Sequence, residues 1–197
     1  MITLKSSLNS VMDMTYPCRC NACENSCNYG SGALANGDLQ KIAAHLGMTE
    51  DAAKEKYFEE IERFATKRLR PKLERKDGMP YGKCIFYDKK KGCTIHEVKP
   101  LECKISMGCK DYGDELIAWF HINHFLDKNN PESLRQFKSY LESGGKTVSG
   151  AEDKDIFDDA TLEKLSEFED LKDKTDWEDV LGLKDEIEKY KKGAGKK

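Results

Sequence analysis

The chain has no apolar run approaching the ~18 residues that a membrane-crossing helix requires. Its opening residues, MITLKSSLNSVMDM, lack a charged start followed by a long apolar stretch, so no signal peptide is expected. Aromatic residues make up only 9% of the chain, and no basic face interleaves with them. That argues against a nucleic-acid footprint. There is no Walker A run, no G-x-G-x-x-G after a strand, no H-E-x-x-H and no G-x-S-x-G, which sets aside the nucleotide, zinc-protease and serine-hydrolase chemistries those motifs carry. Internal repeats at a solenoid period are also missing. What remains is a polar chain, 38% hydrophobic and 35% charged, with mean hydropathy −0.74. Its 197 residues suit one domain of ordinary size with an appendage. Loops this polar need help to become ordered, and metal ligation is one source of it.

Cysteine is where the chain is rich. Cys18, Cys20, Cys23 and Cys27 stand close together, and Cys84, Cys93, Cys103 and Cys109 follow later. A cytoplasmic location is expected, where thiols stay reduced. Eight cysteines in such a compartment favour metal or redox chemistry over a disulfide scaffold.

The net charge of −3 conceals an asymmetry. Residues 1–150 carry 23 Lys and Arg against 20 Asp and Glu, whereas residues 151–190 carry 6 against 16. An acidic stretch of this kind is most simply a set of solvated helix faces, with a docking surface for a basic partner as the alternative.

Read in order, the first cysteine group leads into Gly30-Ser31-Gly32, where glycines permit close backbone approach and N–H groups can point at sulfur. Leu39, Ile42, Ala43 and Leu46 have helical spacing, and Gly47 ends that helix. Thr49 caps a second helix, whose buried face would use Tyr57, Phe58, Ile61 and Phe64 before Pro71 stops it. Residues 72–82 read as an irregular connection. Cys84, Ile85, Phe86 and Tyr87, a turn at residues 88–92, and Cys93, Thr94 and Ile95 suggest one small hairpin. Residues 113–125 read as a helix on which His121 and His124, three apart, share a face. Such a pair could ligate a metal, but eight cysteines make it unnecessary. Asn130-Pro131 starts another helix, and residues 143–150 read as a linker. Two short helices would follow, the second opened by the capping box of Thr175 and Glu178. The predicted organisation is therefore a cysteine-cluster metal-binding domain over 1–142, a linker over 143–150 and an acidic helical appendage over 151–197. The fold class is α+β, mainly helical, with irregular cysteine-rich loops.

The first group has spacing C-x-C-x2-C-x3-C. Cys20, Cys23 and Cys27 match three ligands of the bacterial ferredoxin run C-x2-C-x2-C-x3-C, although the first gap is one residue short and Asn28 stands where that run has proline. Iron atoms in a cluster are close neighbours, so a short loop can deliver several thiolates to one cluster. Cys103, set just after Pro100, is the expected completing ligand. A structural zinc site more often joins two C-x2–4-C knuckles. All eight cysteines are candidate ligands of one or two iron–sulfur clusters of 4Fe-4S type, with zinc as the alternative. Lys99 and Lys104 could offset thiolate charge or simply be solvated.

The order of these segments resembles the YkgJ-type CxxCxxCC family of zinc- or iron-chelating cysteine-cluster proteins. The resemblance rests on Cys18 to Cys27, GDLQKIAAHLG, KCIFYD and GCTIHEVKPLEC, and covers about residues 16–110. The adjacent cysteine pair of that signature is absent, Lys99 replaces the usual arginine, and His96 stands where an aromatic is common. The resemblance implies a metal-chelating or iron–sulfur domain. A longer relative, the flagellin lysine N-methylase, adds a methyl-transfer possibility. Three functions are thus carried forward: an electron-transfer or accessory iron–sulfur protein serving a protein partner or redox complex, a zinc-stabilised interaction module, and a protein lysine N-methyltransferase-like enzyme.

Overall fold

In the computed structural model, residues 1–17, 19–151, 153–161 and 163 are described. Cys18 and the expected helices beyond residue 163 lie outside them. The chain divides into two compact units, Met1–Ile156 and Phe157–Lys197. The first holds all seven described cysteines.

The class is α+β and mainly helical. Short helices α1 (Leu8–Asp13) and α2 (Asn21–Ser26) flank the start of the first cysteine group. Helices α3 (Asp38–His45) and α4 (Glu50–Tyr57) follow, and both form as their apolar spacing and caps dictate. Thr49 Oγ1 accepts the Ala52 N–H at 3.3 Å, satisfying one of the free donors of the first turn of α4.

The chain then departs from expectation. Helix α4 stops at Tyr57, and β1 (Phe58–Arg63) and β2 (Thr66–Pro71) form an antiparallel hairpin instead of a further two turns of helix. Cross-strand charge explains the choice. Glu59 faces Arg70 and Glu62 faces Lys67 in the ladder, and such opposed pairs stabilise a sheet. Glu59 Oε1 also takes Arg70 Nε at 2.8 Å, and both its oxygens meet Arg75. The two-residue turn uses Phe64 and Ala65 at φ 48° and 50°, a conformation that hairpin turns favour but side chains resist. Helix α7 (Pro131–Glu142) holds it in place: Phe64 packs edge-on against Phe137 at 5.2 Å, and Ala65 N–H donates to Gln136 Oε1 at 2.9 Å.

Two smaller ladders follow. Strand β3 (Leu73–Arg75) pairs with β4 (Gly82–Cys84), within the segment read as irregular. The anticipated hairpin forms as β5 (Tyr87–Asp88) against β6 (Gly92–Cys93). Cys84 therefore belongs to a different ladder from Cys93. One core surrounds these strands, with Leu34, Ile42, Ala53, Phe58, Cys84, Phe86 and Ile95 buried together.

Helix α5 (Leu101–Ile105) starts immediately after Pro100 and packs against α6 (Gly113–His124). Leu116 and Phe120 on α6 are fully buried, each worth about 2 kcal/mol relative to exposure. Asn130 Oδ1 caps α7 by accepting Glu132 N–H at 3.0 Å. In the segment read as a linker, Thr3 pairs with Ser149, Leu4 N–H donates to Ser149 O at 2.9 Å, and Val148 is buried. A short α8 (Asp153–Ile156) closes the first unit. Among the described residues no helix is long and apolar enough to cross a membrane.

Candidate metal centre

The seven described cysteines fall into two groups, and each draws on both ends of the sequence pattern. The outer group is Cys20, Cys23 and Cys109. Their sulfurs all lie within 4.8 Å of one another, the one such cluster of potential ligands among the described residues. Cys20 occupies the position before α2 and Cys23 the helix's first turn, so an i, i+3 relation sets both sulfurs on one side. Cys109 comes from the loop between α5 and α6, and its Sγ is 3.8 Å from that of Cys23.

That distance tests the fit to a metal. A tetrahedral ion with metal–sulfur bonds of about 2.3 Å places its ligand sulfurs about 3.8 Å apart. The outer group therefore suits a single zinc or iron ion. Thiolates on a polynuclear cluster reach different irons and stand further apart. Burial, with hydrogen bonds and charge from Cys109 and Cys20, pushes the Cys23 thiol up to about 12. Ligation must displace that proton.

The inner group is Cys27, Cys84, Cys93 and Cys103. All four line one cavity of about 280 Å³. Cys27 follows the last residue of α2, and its carbonyl accepts the Cys84 N–H at 2.8 Å. That bond joins the first cysteine segment to β4. Cys93 ends β6, and Cys103 projects from α5. Burial raises all four thiols. Cys84 reaches about 12, and Cys103 rises well above its ordinary value because it sits deep at the cavity wall and also feels Cys84. Lys99 counteracts burial at Cys27, and Lys99 with Arg19 does so at Cys93. Lys99 lines the same cavity as Cys27 and Cys93, where its charge can offset a thiolate. For Lys104 no comparable interaction is seen.

The glycine-rich exit approaches sulfur as anticipated. Gly32 N–H donates to Cys103 Sγ at 3.2 Å, and a Cβ at Gly32 would lie 2.8 Å from both the Cys103 nitrogen and its sulfur. Only glycine admits this contact.

The pairing within the first segment differs from the ferredoxin-like expectation. Cys27 does not join Cys20 and Cys23 around one point. Its sulfur lies outside the cluster of Cys20, Cys23 and Cys109 and lines the inner cavity instead. Cys23 also borders the inner cavity, so the two groups adjoin.

Neither His121 nor His124 lines the inner cavity or joins the outer cluster. His121 Nε2 is 2.9 Å from Glu102 Oε1 and 2.6 Å from Arg63 Nη1. Burial pushes the Glu102 carboxyl up, but the His121 contact, the Ala33 N–H and the Arg63 charge outweigh it and leave it below its usual range. This Arg63–His121–Glu102 cluster, in which His121 and Glu102 are buried and Arg63 is exposed, was not foreseen. Its members are 58 and 19 residues apart along the chain, and no local pattern signals it. The His124 ring lies tilted against Phe120, 4.6 Å between centroids, and burial, reinforced by the Arg68 charge, lowers its basicity.

Comparison with curated proteins gives no match, and neither does comparison with solved structures. Comparison with family-wide sequence patterns does, over residues 19–129, a span that contains every described cysteine and begins one residue after Cys18. With a three-thiol cluster of ligating geometry inside that span, the chain belongs to the CxxCxxCC family of zinc- or iron-chelating domains.

Proposed function

We propose that this protein is an iron–sulfur protein of the cytoplasm that transfers electrons or serves as an accessory subunit of a redox complex. The cluster, of 4Fe-4S type, would be held in the inner cavity by Cys27, Cys84, Cys93 and Cys103. The outer cysteines would form a separate, mononuclear site. The observation that carries this reading is four cysteines around one cavity of about 280 Å³, more space than a single ion needs. It is also supported by the inner group's not forming a tight single-ion cluster: no three of its sulfurs lie within 4.8 Å of one another. The Gly32 N–H bond to Cys103 supports it as well, because hydrogen bonds to sulfur and nearby cations tune a cluster's potential.

Protein purified without air should be brown, absorb broadly near ~400 nm, and contain iron and acid-labile sulfide in equal amounts. A colourless protein with stoichiometric zinc would sink the reading.

The second reading is a zinc-stabilised interaction module. The 3.8 Å separation of Cys23 and Cys109 favours it at the outer site, where a closed thiolate site would contribute folding energy outright. Either reading calls for a protein partner, and a pull-down that recovers none under both loaded and stripped conditions would argue against both.

A further inference from the structure

We propose that the outer group of Cys20, Cys23 and Cys109 is a metal-transfer site, at which a zinc or ferrous ion carried as cargo passes between this protein and a cysteine thiolate of a partner. The proposal rests on the outer group being a mononuclear metal site. It is independent of what the inner cavity holds.

Accessibility singles out Cys109. It is the one exposed cysteine among those described, whereas Cys20, Cys23 and three of the inner four are half-buried and Cys84 is 7% exposed. A resident structural ion is best kept among buried ligands. A cargo ion must be reachable by an incoming ligand.

The surroundings also provide that ligand with a route. A second pocket, lined by Tyr16, Pro17, Met107 and Lys110, borders Cys20 and Cys109. Ligand exchange at a thiolate-bound ion needs room for the entering sulfur beside the leaving one, and this pocket lies next to both. Lys110 Nζ sits over the Tyr16 ring, 4.6 Å from its centroid. A cation at the pocket wall attracts an anionic thiolate and raises its local concentration.

The three ligands are not equivalent. Cys20 and Cys23 are fixed at the start of α2. Cys109 belongs to the loop between α5 and α6, outside any helix or strand, so it is the ligand that can leave first. In the exchange, the bond between the ion and Cys109 Sγ breaks as a bond to the partner's sulfur forms. A proton carried by the incoming thiol ends on Cys109 Sγ. No electron moves, and the ion keeps its charge. The same exchange at Cys20 and Cys23 completes the transfer.

The test uses the full chain loaded with zinc, glutathione as the incoming thiol, and 4-(2-pyridylazo)resorcinol absorbance to report released zinc. About one zinc per chain should leave in a phase whose rate climbs with glutathione, roughly ten-fold faster than any zinc left behind. Cys109→Ser should remove that phase and Cys84→Ser should keep it. Lys110→Glu should slow it roughly three-fold at unchanged zinc stoichiometry, and Lys110→Arg should restore it, since only the sign of the charge at the pocket matters. Zinc release independent of glutathione, or a fast phase that survives Cys109→Ser, would overturn the proposal. So would an unchanged rate in Lys110→Glu. Acid-labile sulfide reports on the inner cavity alone, so failure here is distinguishable from failure of the iron–sulfur reading.

Discussion

The backbone N–H of Gly32 points at the sulfur of Cys103 from 3.2 Å, across 71 residues of sequence. This contact locks the exit of the first cysteine segment onto α5. It leaves no room for a side chain, because a Cβ would also come within 3.0 Å of Glu102 Cβ. Gly32→Ala should therefore shift Cys103 and cost about 1–3 kcal/mol, the usual penalty for overfilling a packed site. Thermal unfolding and metal content of the anaerobic protein read the two effects. A variant with wild-type values in both would contradict the packing described.

The buried charge cluster gives a second prediction. His121 and Glu102 are both more than nine-tenths buried, at 9% and 8% exposure. Removing His121 takes one partner from a buried carboxylate that keeps the Ala33 N–H. His121→Ala should lower the free energy of unfolding by about 2 kcal/mol, the scale of a hydrogen bond to a charged group. Urea unfolding measures it, and a loss below the level of an ordinary surface substitution would show that the contact contributes little.

Glu59 joins β2 and β3 through Arg70 and Arg75. Hydrogen bonding from Arg75, helped by Arg70, outweighs partial burial and holds its carboxyl below the usual range. A carboxyl lowered in the folded state adds stability above its unfolded value near 4.5. That contribution fades as the pH falls through the lower folded value. Glu59→Gln should thus cost about 1 kcal/mol at pH 7, and wild type and variant should converge in acid below that range. A constant difference from neutral to strongly acid pH would contradict the assignment.

Much of this was legible in the sequence, but unevenly. The caps of α4 and α7 followed from Thr49 and from Asn130-Pro131, because capping depends on residues a few positions apart. The β1–β2 hairpin did not. Tyr57, Phe58, Ile61 and Phe64 satisfy helical spacing, and only the long-range pairing of Glu59 with Arg70 and Arg75 decides for strands. The sorting of cysteines was hidden for the same reason. Cys23 and Cys109 are 86 residues apart, and spacing within the first segment suggested a partnership with Cys27, which lines the inner cavity instead. The approach of Gly32 to sulfur could be anticipated from its type, though not its partner.

Raised thiols make metal uptake a proton-releasing event. Cys23 near 12 and the other elevated cysteines carry their protons at neutral pH in the metal-free protein. Zinc binding must expel them, so affinity should rise with pH. An indicator dye in weakly buffered solution should record at least one proton released per zinc as the outer group fills, the one that Cys23 carries. Release of fewer than one per zinc would mean that the thiols are not the ligands.

The central claim is that the inner four cysteines hold an iron–sulfur cluster while the outer three do not. The most direct measurement is the iron and sulfide content, with the electron paramagnetic resonance spectrum after dithionite reduction, of anaerobic wild type beside Cys84→Ser and Cys109→Ser. The account predicts about four iron and four sulfide per chain in wild type and in Cys109→Ser, with the cluster signal in both. In Cys84→Ser the cluster and its signal should be largely lost. A full cluster in Cys84→Ser, or its disappearance only in Cys109→Ser, would contradict the account.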